Sequence, residues 1–337
     1  MKIKKAIVCL LAAMFASSCF ACTPRDGNVV HVYMPDGAPA IALSKLMHEG
    51  YENTEFTVVP SATIRERVAS GAADLAIIPI NAAAALYNGN AGIKMLSVNT
   101  HGNLYIVSKD GESADIEFSD LVGKKIAVIM QNDVPGLTFR MMLEKSALPF
   151  VEVATTDSAE DGKISVNYVA DGQAAIAALK LPTSPADYAL LAEPQATNAV
   201  KTLNGRVVCD VQEQWREMFG GTFPQACLVA KSTLDDGYIA NFMSALTASD
   251  GWAEEHPTEA VAAVKSHAEA GTASTLPALT AAMIKGCNIK TVAAADIKTA
   301  CEKYFEALGK LKKPDGTPVL AKAPDDGFYY DTADGLT

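Results

Sequence analysis

The residues best able to do chemistry in this chain are small, amide-bearing or acidic, and they stand just past short apolar runs. Asp36, Gly37 and Ala38 follow VVHVYM (29–34), Ser61 follows EFTVVP (55–60), and Asn81 follows DLAIIP (74–79). His101 follows KMLSVN (94–99) and Asn132 follows KKIAVIM (124–130). Asp171 and Gly172 follow ISVNYV (164–169), and Glu193 follows DYALLA (187–192). Several of these stretches precede a helix-like segment, whose first N–H groups have no partner within the helix. Such a set suits recognition of an anion or a polar acceptor group. Each position also has a plainer role. Ser61, Asn81 and Asp171 are good helix caps, Gly37 and Gly172 suit turns, Glu193 before Pro194 suits a solvent-facing acid, and His101 a hydrogen-bonded loop residue.

Catalysis finds less support. There is no GxSxG, no Gly-rich GK[ST] loop and no HExxH. The histidines are His31, His48, His101, His256 and His267, and no cysteine falls in the loops just named. A metal site would want several His and acid ligands at strand ends, where only His101 qualifies. No cofactor is expected.

The elements that must position these loops follow from the apolar pattern. Strand-like runs alternate with helix-like segments at 39–50, 63–70, 81–87, 136–146 and 173–179, which indicates βαβ units and parallel sheets. The runs are apolar nearly throughout, as strands covered on both faces should be. LYIVSK (104–109) and ACLVAK (226–231) read as further strands, and 110–118 as a polar linker. From Asp235 the chain reads as helices only. In parallel α/β sheets ligands bind beyond the carboxyl ends of strands, which is where the loops above lie.

At 337 residues the chain is long enough for two domains, or for one large one. Its net charge of −11 and lack of a basic stripe argue against nucleic-acid binding. The opening MKIKKAIVCLLAAMFASSC reads as an export signal: a basic start, an apolar run and small residues before a cysteine. The run from Ala6 to Ala16 is too short to span a bilayer, which needs roughly 20 residues. A signal over 1–18 with lipidation at Cys19 fits best. Lipidation at Cys22, or plain cleavage after Ala21, are the alternatives, and a tether over 19–27 follows. These readings place the protein outside the cytoplasm, lipid-anchored on the outer face of the cell membrane or in a periplasm. Four cysteines remain beyond the signal, Cys209, Cys227, Cys287 and Cys301, with no CxxC pair. They read as buried hydrophobes, with a Cys287–Cys301 disulfide as an alternative.

The segments VYMPDGAPAIALSKL, SGAADLAIIPINAAAALY, GKKIAVI, DGQAAIAAL, LLAEPQA and FPQACLVAK occur in that order. Over residues 29–330 the chain thereby resembles the binding proteins of ABC transporters for nitrate, sulfonates, taurine and thiamine-pyrimidine precursors. Lipoproteins of that group often end in a segment like PDDGFYY, as here. The resemblance implies an α/β, two-lobed periplasmic binding protein type II fold, with a hinge of two crossover segments near 105–115 and 218–226. Lobe one would be 28–108 plus 223–337, with the helical C-terminal region packed on it, and lobe two 109–222. It implies a monomer that closes on a small solute and meets an ABC permease and its ATPase. Carried over by position, the ligand contacts would be Asp36, Gly37, Ala38, Ser61, Asn81, Asn132, Asp171, Gly172 and Glu193, with His101 beside them. The chain departs from the anion binders, because Arg65 and Arg140 lie inside predicted helices. It departs from the pyrimidine binders, because none of Tyr33, Tyr105, Phe139 or Trp215 is clearly placed to stack. The acids favour a ligand that donates hydrogen bonds. A sensor without transport, or an enzyme resembling the pyrimidine synthases on the same fold, are the alternatives.

Overall fold

A computed structural model describes residues 29–331. The signal, the tether and the lipidation sites Cys19 and Cys22 lie outside the described residues. The chain forms twelve described strands in two six-stranded sheets. They are β1 (Val30–Pro35), β2 (Thr54–Val59), β3 (Leu75–Pro79), β4 (Ile93–His101), β5 (Leu104–Ser108) and β6 (Lys125–Ile129). Then come β7 (Phe150–Glu152), β8 (Ile164–Val169), β9 (Tyr188–Ala192), β10 (Arg206–Asp210), β11 (Pro224–Lys231) and β12 (Ile289–Ala293). The first sheet runs β2-β1-β3-β11-β4-β12 and the second β7-β8-β6-β9-β5-β10.

The two sheets share one plan. In the first, β1 pairs in parallel with β2 and β3, and β11 lies antiparallel between β3 and β4. In the second, β6 pairs in parallel with β8 and β9, and β5 lies antiparallel between β9 and β10. The antiparallel strand of each lobe is thus supplied by the chain as it crosses over from the other lobe. This is the mixed α/β, two-lobed architecture of periplasmic binding proteins.

The core strands carry little but Ala, Val, Ile and Leu because both faces are covered. On one face of the first sheet, Val32, Met34 and Leu228 pack with Ile41, Phe242, Val264 and Ile284. On the other face, Ile78, Val98 and Val229 join a cluster that continues into the second lobe through Phe223, Trp215 and Tyr304. The helix Ala294–Lys310 supplies Tyr304, whose hydroxyl meets that of Thr138 at 3.0 Å. The C-terminal helices therefore pack on lobe one, and the last long one also touches lobe two.

The chain first changes sheets at Gly102 and Asn103. A Cβ on Gly102 would stand 2.6 Å from the Phe223 ring and 2.9 Å from Gln212, so no larger residue fits unchanged. It returns between Gly220 and Phe223. The sequence reading puts 104–108 in lobe one; the structure pairs this strand with β9 and β10 in the second sheet. An apolar run reports burial, which both sheets provide equally, and does not report the partner. The stretch after Asp235 is not all helix, because β12 pairs with β4. Strands β7 and β10 and the helices Gln195–Leu203 and Val211–Phe219 also went unread. Both short strands sit at sheet edges, where one-sided burial weakens the apolar signal. Cys287 and Cys301 are free and fully buried on opposite faces of the first sheet, so the alternative disulfide does not form.

Candidate functional site

The carboxyl ends of the parallel strands in both lobes face one another across a cavity of about 460 Å³. Lobe one contributes the turn Pro35–Pro39, the stretch Val59–Ala62, and Pro79 and Thr100; lobe two contributes Asn103, Ile129, Met130, Asp133 and the turns at Ala170–Gln173 and Ala192–Gln195. Asp36, Gly37, Ala38, Ser61, Asp171, Gly172 and Glu193 all line it. Gly37 has φ of +113°, a conformation that L side chains rarely adopt, so the turn after β1 needs glycine there. Gly172 lies close to the second lobe-two turn, and a Cβ there would come within 3.2 Å of the Gln195 side chain.

The acids at these turns are already engaged. The Asp36 carboxylate accepts from the Ser274 hydroxyl at 2.7 Å, and from the N–H and hydroxyl of Thr275 at 2.6 and 2.9 Å. It thereby straps the loop 272–276 over the cavity as a further wall. Asp171 caps the helix Gly172–Leu179 by accepting the Ala174 N–H at 2.9 Å. Glu193 accepts the N–H and hydroxyl of Thr197 at 3.1 and 2.5 Å. Burial pushes the Glu193 carboxyl above the ordinary carboxylate range, while the Thr197 bonds and the charge of Lys201 pull it back.

Three predicted contacts do not line the cavity. Asn81 donates from Nδ2 to the Asn132 carbonyl at 3.1 Å and lies 3.4 Å from Asp133 Oδ1, so both asparagines form a bond between the lobes. Arg65 of lobe one pairs with Asp133 of lobe two at the same place. His101 turns toward β12, where Nε2 lies 3.1 Å from the Lys290 carbonyl, and burial lowers its pKa. The alternation of side chains along β4 explains this: Thr100 faces the cavity, so its neighbour faces away.

The cavity has polar members that sequence reasoning did not select. Thr100, Asn103 and Gln225 form part of its wall at the crossover, and the Asn103 N–H reaches Gln225 Oε1 at 3.4 Å. The Thr100 hydroxyl and both polar atoms of the Asn103 side chain are buried without a partner. Asn103 stood in plain view in the stretch Thr100-His101-Gly102-Asn103, where the histidine drew attention by type. Among the described residues, no Lys, Arg or His lines the cavity. Among the described residues, no group of three or more His, Cys, Asp or Glu is placed to hold a metal.

Comparison with known proteins adds the family. A profile of the family described as menaquinone biosynthesis matches residues 31–306, from β1 into the helix Ala294–Lys310. The chain belongs to the menaquinone biosynthesis family. None of the curated proteins matches it in sequence. Among solved structures, the chain is similar to an ABC transporter protein from Parabacteroides distasonis, with 23% identity over 90% of this chain and 99% of that one, and a TM-score of 0.68. It is similar to the periplasmic aliphatic sulphonate binding protein SsuA from Escherichia coli, with 15% identity over 83% and 87% and a TM-score of 0.57. It is also similar to the alkanesulfonate-binding protein SsuA from Xanthomonas axonopodis pv. citri bound to MOPS, with 15% identity over 83% and 91% and a TM-score of 0.54. These likenesses establish the shared fold. The matched residues run through both lobes and include every residue that lines the cavity.

Proposed function

We propose that the protein is the extracytoplasmic solute-binding component of an ABC importer. It captures a small solute between its lobes and delivers it to the permease, whose ATPase drives transport. The observation that carries this reading is the bonding of the two lobes beside a cavity lined by the strand ends of both, through Arg65–Asp133 and Asn81–Asn132. A site enclosed by two hinged bodies suits capture and release. Among the described residues, no histidine or cysteine lines it to form a nucleophile and base pair. The export signal supports the same reading, with anchoring through Cys19 or Cys22 and action as a monomer. Anionic sulfonate-like or nitrate-like solutes and pyrimidine vitamin precursors are the classes the resemblance offers.

The test is thermal unfolding of residues 23–337 against sulfonates, taurine, nitrate, aminopyrimidines, thiamine, riboflavin and amino acids. A ligand at 100 times its dissociation constant adds about 2.7 kcal/mol to the native state, which raises the midpoint by a few degrees. A shift confined to one chemical class supports capture. Failure of a wide metabolite panel, after refolding to strip carried-over ligand, removes the reading's main support.

The family description favours a second reading, an enzyme of menaquinone biosynthesis. Its one acid–base candidate is Glu193, buried in the cavity wall with a raised pKa. Prolonged incubation of the bound compound separates the two readings. Recovery of the compound unchanged favours capture; steady conversion to a product favours catalysis.

A further inference from the structure

The cavity wall at the crossover holds a polar group that the protein itself leaves unmet. Asn103 is 1% exposed and lines the cavity, yet neither Oδ1 nor Nδ2 has a hydrogen-bond partner, and the Thr100 hydroxyl is unmet as well. Leaving buried polar groups unpaired is costly, so a partner supplied by a ligand is favoured. A carboxamide presents a donor and an acceptor side by side in one plane. Its complement is a planar edge with an acceptor and a donor in the same spacing.

The charge around the cavity is one-sided. Asp36, Asp133, Asp171 and Glu193 line it, and among the described residues no cationic side chain does; Arg65 pairs with Asp133, and Lys201 acts on Glu193 from outside the lining. Three helices of lobe two begin at the cavity, Val134–Lys145, Gly172–Leu179 and Gln195–Leu203. Their positive ends would ordinarily welcome an anion. Here an acid stands at the start of each, Asp133, Asp171 and Glu193, and offsets that field. A ligand anion would enter beside these carboxylates, and like charges at close range repel. The remaining walls include the rings of Pro35, Pro39, Pro60, Pro79, Pro135 and Pro194, with no aromatic side chain. These are rigid apolar surfaces that suit the faces of a flat ring.

We propose that the cavity takes a neutral or cationic planar ring with an adjacent hydrogen-bond donor and acceptor, seats that edge on the Asn103 amide, and excludes anions. This rests on the capture reading and narrows it against sulfonates and nitrate.

Three isosteres of one ring test the class: benzamide, benzamidine and benzoate, measured by calorimetry on the wild-type protein after unfolding and refolding. Benzamide binds at least about tenfold tighter than benzoate, a difference of about 1.4 kcal/mol, and benzamidine, whose edge offers donors alone, binds between the two. Asn103→Leu weakens benzamide at least about tenfold, and Asn103→Asp turns the preference toward benzamidine. Benzoate binding as well as benzamide overturns the proposal, as does absence of benzamide binding or a benzamide affinity unchanged in Asn103→Leu. The wild-type comparison stands even where a variant fails to fold. The capture reading fails separately: no small molecule is released when the purified protein is denatured, and the wide metabolite panel gives no thermal shift. Release of an anionic metabolite would instead keep capture and overturn the class.

Discussion

Glu193 shows how a single residue in this cavity can serve structure and still carry a signature of its surroundings. It holds the start of the helix Gln195–Leu203 through Thr197, and burial raises its pKa above the ordinary value of 4.5. The folded state therefore holds the proton more tightly than the unfolded chain does. The stability this contributes is fully present below the unfolded pKa and is lost as pH rises through the folded one. Glu193→Gln removes that titration and keeps one acceptor for Thr197. Its stability relative to wild type should rise as pH increases above the ordinary carboxylate value of 4.5, read from urea midpoints across pH. A difference that stays flat over this range would mean that Glu193 is not desolvated. Gly102 makes the complementary point. Its value lies in the absence of a side chain where the Phe223 ring closes on the crossover.

At the scale of elements, the C-terminal segment acts as a strap on lobe one. Tyr329 forms a bridge with Met95, and the Tyr330 N–H donates to the Met95 carbonyl at 2.9 Å. Phe328 is fully buried, with its ring 5.2 Å from that of Tyr87 and 6.1 Å from that of Phe305. Tyr87 also reaches Asp325 at 2.5 Å, and Lys298 reaches Asp326 at 2.7 Å. The exposed ion pair contributes little beside the burial. Phe328→Ala should cost about 3–5 kcal/mol, the usual range for emptying a buried phenylalanine site. Chemical unfolding checks this. A cost below about 1 kcal/mol would show the strap to be dispensable, and Lys298→Ala serves as the near-neutral control.

At the scale of the whole molecule, the lobes meet through Arg65–Asp133 beside the cavity, through the Tyr105 hydroxyl donating to the Gly286 carbonyl at 3.2 Å, and along a larger apolar seam. Arg65 and Asp133 are 42% and 27% exposed in their side chains, so their pair adds at most about 1 kcal/mol to folding. Opening the lobes breaks this pair, whereas the seam of Trp215, Phe223 and Tyr304 lies at the crossover. A small energy can therefore shift the balance between closed and open states without touching the fold. Arg65→Ala should leave the unfolding midpoint within about 1 kcal/mol of wild type and increase the radius of gyration of the ligand-free protein. Small-angle scattering reads the second effect. An unchanged radius would place the closure energy in the seam instead of in the Arg65–Asp133 pair.

The order of motifs carried the resemblance that implied two lobes, while the sequence by itself determined the alternation of strands and helices and most of the turns that line the cavity. It did so because strands covered on both faces leave uninterrupted Val, Ile, Leu and Ala runs such as Leu75–Ile78 and Ile126–Ile129, and these runs end where polar loops must begin. The tertiary structure decided what local pattern cannot encode. It paired Leu104–Ser108 with β9, set β12 beside β4, and separated Cys287 from Cys301 by a sheet. It also chose among neighbours in a single loop, turning His101 out and leaving Asn103 in the cavity wall. Pairing, facing direction and the meeting of lobes depend on contacts between residues far apart in the chain, and those exist only once both sheets have formed.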